Sequence, residues 1–199
     1  MFDPLGNWRR THYSTEVKPE MDGQEVILMG WVHDLRDLGG VRFIVLRDRE
    51  GFIQSTLHKE KADQVLYEKM GSLKKEYIVA IKGNVKAMKQ APRGVEVVPK
   101  EIKILNASDA VLPLDVTGRT DADLDTRLNI RVLDLRRPKS FAIFKIRNVV
   151  LASAREFLMK ENFFEINTPK IIASATEGGT ELFPITYFEK EAFLSQSPQ

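Results

Sequence analysis

The stretch VRFIVLRDREGFIQSTL, residues 41–57, decides the first fold. Two runs rich in β-branched and aromatic residues flank Asp48-Arg49-Glu50-Gly51, a combination that reads as a β-hairpin. The turn suits a type I geometry with glycine in the left-handed position. If Arg47 faces Phe52, antiparallel pairing sets Val45 opposite Gln54 and Phe43 opposite Thr56. Those four residues share one face, and Ile44, Leu46, Ile53 and Leu57 share the other, the better interior. A slip of one residue would exchange the faces. In this register Phe43 lies outward with an amide, Gln54, two cross-strand steps away. An exposed ring beside an amide suits a splayed-out base, which stacks on the ring and is read along its edge. The same two residues also suit ordinary core packing and an ordinary surface.

Outward from the hairpin, five strands are expected at about 25–33, 41–47, 52–58, 77–87 and 95–105, with a helix near 61–71. That order within some eighty residues is the one of an OB-fold β-barrel, a common platform for single-stranded nucleic acid. Residues 111–137 contain Thr117-Gly118 and many Asp and Arg without clean periodicity, and read as a hinge or linker. The domains are therefore expected at 1–110, 111–137 and 138–199. After Pro138 the run FAIFKIRNVVLASAREFLMKEN, residues 141–162, keeps apolar side chains at helical spacing without Gly or Pro, so a long amphipathic helix is expected. A short strand over 163–166 should follow.

Thirty basic and 28 acidic residues give a net charge of +2, so bulk charge points to no nucleic-acid partner. Locally, Lys82, Lys86, Lys89 and Arg93 occur between residues 77 and 95 with no acidic residue, as an RNA-facing patch or as a protected sheet edge. The chain has no cysteine and three scattered histidines, so no disulfide and no structural metal is expected. No apolar run approaches the roughly 20 residues that span a bilayer, and a cytoplasmic location is expected.

The segment GWVHDLRDLGGVRFIVLRDREGFIQ, residues 30–54, resembles the anticodon-binding barrel of archaeal-type aspartyl-tRNA synthetases. The resemblance implies that Arg36, Phe43 and Gln54 contact the anticodon loop, Phe43 stacking on the middle base and Gln54 reading it. Residues 133–138 (LDLRRP), the long helix and residues 164–169 (FEINTP) resemble motif 1 of class II synthetases, which implies a homodimer through this region. Residues 175–184 (ATEGGTELFP) and 193–199 (FLSQSPQ) resemble the family's aspartate-binding segments, implying aspartate-binding roles for Glu177 and Gln199. Glu177 before two glycines places a carboxylate on a loop able to close over an ammonium group. The related asparaginyl enzymes differ in these two segments, which favours aspartate.

The expected architecture is thus a five-strand OB-fold barrel with a helix, followed by an incomplete α+β class II catalytic domain. Motifs 2 and 3, which in that class hold ATP and Mg2+, are absent from the sequence. The chain alone is therefore expected to bind neither cofactor and to be inactive, with no catalytic residue of its own. The function implied for the parent enzyme is ATP-dependent aspartylation of tRNA. Within the archaeal branch, strict enzymes tend to carry Trp and Lys at the positions of His33 and Pro92, and relaxed ones His and Pro. The resemblance therefore implies charging of tRNA-Asn as well as tRNA-Asp. A stand-alone OB-fold RNA-binding protein and an asparaginyl-tRNA synthetase are the alternatives.

Overall fold

The structure, a computed structural model, describes residues 2–108, 111–173 and 182–195. Five strands, β1 (Glu25–Asp37), β2 (Val41–Arg47), β3 (Phe52–His58), β4 (Ile78–Ala87) and β5 (Val95–Asn106), close a barrel in the order β1-β2-β3-β5-β4. The chain from Met1 to Phe141 forms one compact unit and that from Ala142 to Gln199 a second.

The hairpin has the expected register, with Arg47 opposite Phe52, Val45 opposite Gln54 and Phe43 opposite Thr56. Ile44, Leu46, Ile53 and Leu57 are buried in the barrel, where they meet Val26, Leu28, Val79 and Ile81. Alternation of apolar and polar side chains thus selects one face for the interior. Helix α1 (Gln64–Ser72) contributes Tyr67 and Met70 to the same core. Its start is capped by Asp63, whose carboxylate accepts from Leu66 N at 3.1 Å.

Gly51 departs from the expected left-handed conformation, since the glycines at positive φ are 6, 23, 39, 94 and 118. The loop is instead held by the Asp48 carboxylate, which accepts from Glu50 N at 2.9 Å and Gly51 N at 3.1 Å. A Cβ there would stand 3.0 Å from Cγ2 of the exposed Thr15, a tight contact that the Thr15 side chain would have to relieve. Asp48 also accepts from Ser14 N at 2.6 Å and Ser14 Oγ at 2.7 Å, fastening the N-terminal segment to the hairpin.

Closure makes β1 serve two neighbours. Residues from Glu25 to Trp31 pair with β4, and those from Trp31 to Asp37 pair with β2. The strand bends where the duties change. At Gly30 a Cβ would lie 2.2 Å from the Arg47 carbonyl oxygen, so no other side chain fits. A register shift between Val32 and Asp34 leaves His33 as the extra residue of a bulge.

Residues 111–137, read as a hinge, hold two short helices, α2 (Leu124–Asn129) and α3 (Arg131–Asp134), and belong to the first compact unit. Leu114 and Val116 are buried, and Asp134, fully buried, accepts from Arg127 Nε at 2.8 Å and Ser140 Oγ at 3.0 Å and pairs with Arg131. Asp115 organises the preceding turn by accepting from the amides of Thr117, Arg119 and Thr120. The carboxylate count that obscured periodicity here is used for capping and turn closure.

Helix α4 (Pro138–Lys160) matches the expected long helix. Residues 163–166 form no strand; the strands of the second unit are β6 (Ile171–Ile172), β7 (Pro184–Tyr187) and β8 (Lys190–Leu194), in the order β6-β8-β7. Within that unit Val149, Val150 and Phe157 stay exposed along α4.

Gly30→Ala, which forces a methyl against a carbonyl in the barrel wall, is expected to lower the unfolding free energy by at least about 1–3 kcal/mol. Gly40→Ala, where a Cβ meets nothing within 4 Å, should stay within about 0.5 kcal/mol. Urea denaturation of the two variants checks both.

Candidate nucleic-acid interface

Three rows of side chains cross the outer face of the barrel. Arg36 on β1 pairs directly with Phe43 on β2, and Phe43 with Thr56 on β3. One step along, Asp34, Val45, Gln54 and Glu96 are successive neighbours on β1, β2, β3 and β5. The third row is Trp31, Arg47 and Phe52. Arg36, Phe43 and Gln54 thus stand on adjacent rows of one surface, as the register requires. Leu35, Arg36, Arg42, Phe43 and Leu73 also line a cleft of about 230 Å³ beside the Phe43 ring.

Beside Gln54, on the neighbouring strand, sits a carboxylate. Glu96 is only 2% exposed, and its Oε2 accepts from Thr56 Oγ1 at 2.6 Å and from Gln54 Nε2 at 3.1 Å. Lys86 Nζ lies 3.9 Å from Oε1. An ionised carboxylate only accepts, so the Gln54 amide presents its NH2 to Glu96 and leaves its carbonyl oxygen on the side away from it. The surface therefore offers a fixed acceptor next to the Phe43 ring. Glu96 interrupts the apolar run Val95-Glu96-Val97-Val98, and that interruption was the sequence signal for it.

His33 occupies the β1 bulge. Its Nδ1 lies 3.0 Å from Arg47 Nη1, and its ring packs on Phe52 with centroids 4.8 Å apart. Arg47 is itself held by Glu76, through both carboxylate oxygens at 2.8 and 2.9 Å, and Arg136 reaches Glu76 Oε2 at 2.6 Å. The guanidinium groups of Arg47 and Arg136 both lie over the Trp31 ring. Phe52 is exposed, and its outward position follows from the same alternation that exposes Gln54 and Phe43.

Pro92 is exposed at the start of the turn Pro92–Gly94. The next residue, Arg93, has φ 64° and donates to the carbonyls of Ser14 at 2.8 Å, Thr15 at 2.9 Å and Val17 at 3.1 Å, and to Phe52 O at 3.4 Å. The clasp brings the Pro92 turn to the strand that carries Phe52, and Phe52 packs on His33. The basic stretch is thereby largely accounted for within the barrel, since Lys82 pairs with Glu25 at 3.2 Å and Lys86 faces Glu96.

Glu177 and Gln199 lie outside the described residues. Among the described residues no group of three or more His, Cys, Asp or Glu side chains is placed to hold a metal ion. Among the described residues no helix is long and apolar enough to cross a membrane.

Burial, and then the Arg47 guanidinium, hold the His33 pKa below its ordinary 6.5, with Glu76 and Asp34 opposing. Protonation is thus easier in the unfolded chain, so stability contributed by neutral His33 is complete above about 6.5 and declines as the pH falls toward the folded value. An NMR titration of the ring is expected to show a midpoint below 6.5, and a midpoint at or above it would contradict the buried contact with Arg47.

Comparison with known proteins places these features. Residues 26–105 match the family described as OB-fold nucleic acid binding domain, and residues 123–199 the family of class II tRNA synthetases (D, K and N). The chain is 60% identical over 195 residues to the aspartate–tRNA(Asp/Asn) ligase of Methanococcus maripaludis, covering 98% of this chain and 44% of that protein. It is 59% identical over 187 residues to the ligase of the same name from Methanopyrus kandleri, covering 94% of this chain and 43% of that protein. Among solved structures, the asparaginyl-tRNA synthetase of Pyrococcus horikoshii with asparaginyl-adenylate superposes with a TM-score of 0.85 at 35% identity, over 95% of this chain and 43% of that one. The aspartyl-tRNA synthetase of Entamoeba histolytica superposes with a TM-score of 0.72 at 26% identity, over 84% and 41%. The chain spans less than half the length of the curated relatives it matches.

Proposed function

The chain belongs to the aspartyl-type class II tRNA synthetases, and we propose that it supplies the anticodon-reading part of an aspartate–tRNA ligase. The enzyme would join aspartate to tRNA with ATP and Mg2+, the cofactors that this class generally uses. The described residues offer no cluster for the metal, so no step of the ATP chemistry is assigned to them. Glu177 and Gln199 are proposed to bind aspartate, the region around α4 to form a homodimer, and the cytoplasm to be the location.

The observation that carries the proposal is the Gln54 amide held by Glu96 next to Phe43. A fixed carbonyl accepts from the N3–H of uracil, which cytosine lacks, while a base stacked on Phe43 is held at the right height. Arg36, exposed and directly paired with Phe43, is placed for the phosphate of the same nucleotide. Aspartate is favoured over asparagine because the Asp/Asn-tRNA ligases stand at 60% identity and the Pyrococcus asparaginyl enzyme at 35%.

The chain is expected to bind an anticodon hairpin with a middle uridine, and Phe43→Ala to weaken binding by about 1–3 kcal/mol, read by fluorescence anisotropy. Ile44→Ala, a cavity in the core, should cost about 2–5 kcal/mol of stability and reduce binding only as far as it unfolds the barrel. Binding indifferent to Phe43→Ala in a folded protein would refute the stacking role.

His33 and Pro92 are proposed to leave the third anticodon base, C in tRNA-Asp and U in tRNA-Asn, unselected. Pro92 has neither a side-chain donor nor an N–H with which to tell the two apart. In an active ligase carrying this sequence, the two tRNAs should be charged with similar efficiency. A preference for tRNA-Asp of about a hundredfold, roughly 2.7 kcal/mol at the transition state, would refute it.

A further inference from the structure

We infer that Arg47 is a positioning residue that locks His33 into one tautomer, making it a donor-only contact to the O2 carbonyl of the third anticodon base, the acceptor that cytosine and uracil share. The inference rests on the anticodon reading proposed above. It follows from the chemistry of two groups. A guanidinium can only donate, so the His33 nitrogen that faces Arg47 Nη1 at 3.0 Å must accept and carries no proton. The neutral ring then has its single proton on Nε2. Arg47 has no freedom to release this hold, because Glu76 grips it at 2.8 and 2.9 Å from the other side. Phe52 packs against the ring, 4.8 Å between centroids with the planes tilted by 56°, and limits its rotation. Around the ring stand Arg47 from β2, Glu76 and Lys75 before β4, and Asp34 next in β1; burial, Arg47 and Lys75 favour the neutral ring, and Glu76 and Asp34 oppose them without reversing the downward shift.

The second ring nitrogen of His33, Nε2, therefore carries the N–H, on a ring that packs against Phe52, whose carbonyl accepts from Arg93 of the Pro92 turn. Along the pairing edge the two bases differ at C4, where cytosine has an amino donor and uracil a carbonyl acceptor, and at N3, bare in cytosine and protonated in uracil, and they share the O2 carbonyl. A donor cannot bond the cytosine amino group, and at O2 it bonds either base alike. Selecting cytosine through its amino group would require the opposite tautomer, with a lone pair on Nε2, and Arg47 excludes that form. Tolerance of both pyrimidines is then a built property of the Glu76–Arg47–His33 chain, in addition to the missing donor at Pro92.

The test is long-range proton–nitrogen correlation NMR on the 199-residue chain, followed by binding of two anticodon hairpins that differ only in C or U at the third position. The wild type should show His33 protonated at Nε2 alone, and a proton on Nδ1 overturns the inference. Arg47→Lys keeps a donor-only partner and should keep the tautomer. Arg47→Gln can accept from Nδ1–H and should admit the other tautomer. Wild type and Arg47→Lys should bind the two hairpins within about threefold, and Arg47→Gln should favour the C hairpin by at least about fivefold. A tautomer that changes in folded Arg47→Gln with no change in this ratio overturns the inference. If Arg47→Gln loses its circular dichroism signal, the wild-type tautomer and the Arg47→Lys ratio decide. Failure of the wild type to bind either hairpin removes the anticodon reading itself, while the NMR result still stands or falls separately.

Discussion

The barrel closes through β1, which pairs with β4 along its first half and with β2 along its second. The rest of the first unit follows from how the strand turns. Gly30 permits the approach of the Arg47 carbonyl at the crossing, and the extra residue at His33 resets the alternation. Before the bulge, Val26, Leu28 and Val32 point inward; after it, Asp34 and Arg36 share the outer surface with Phe43 and Gln54. The same bend that closes the core therefore builds the recognition surface.

Two charged groups beneath that surface are costly for stability. Glu96 at 2% exposure and Arg47 at 7% are nearly removed from water, and their pairings recover only part of the desolvation penalty. Both repay the loss in orientation: Glu96 fixes the amide of Gln54, and Arg47 fixes the ring of His33. A surface that must distinguish donors from acceptors on a base needs its own donors and acceptors held still.

Much of the barrel was legible because strand parity is a local property. The hairpin register, the inward set of Ile44, Leu46, Ile53 and Leu57, and the outward Phe43 and Gln54 could all be read from alternation, with strand ends misplaced by a few residues. What escaped depends on distant partners. Arg93 was read within a basic stretch, as an RNA-facing patch or a protected sheet edge, yet the carbonyls it holds lie in residues 14–17, nearly eighty positions away. Gly51 was assigned to a left-handed turn conformation, whereas it lies outside the positive-φ glycines and closes a turn held by the Asp48 carboxylate. The hinge concealed α2 and α3 because its carboxylates serve as caps and turn hubs, which spoils periodicity. Arg36, Phe43 and Gln54 were named through resemblance and register together, and the structure gathers them on one face. Glu96, Arg47 and Phe52 were missed because nothing adjacent in sequence reveals that each stands behind or beside a reader.

The carboxylate beside Gln54 has a consequence for how a genetic letter is stored. A glutamine amide is nearly symmetric in shape and opposite in sense at its two ends, so its identity alone leaves open which base it favours. The sign of the charge beside it decides. With an anion there, the free atom is an oxygen suited to the imino proton of uracil. With a cation there, the same side chain would invert and offer its amino group to the bare N3 of cytosine. In the proposed anticodon reading, specificity for the middle position would thus be encoded jointly, by Gln54 and by the carboxylate that orients it.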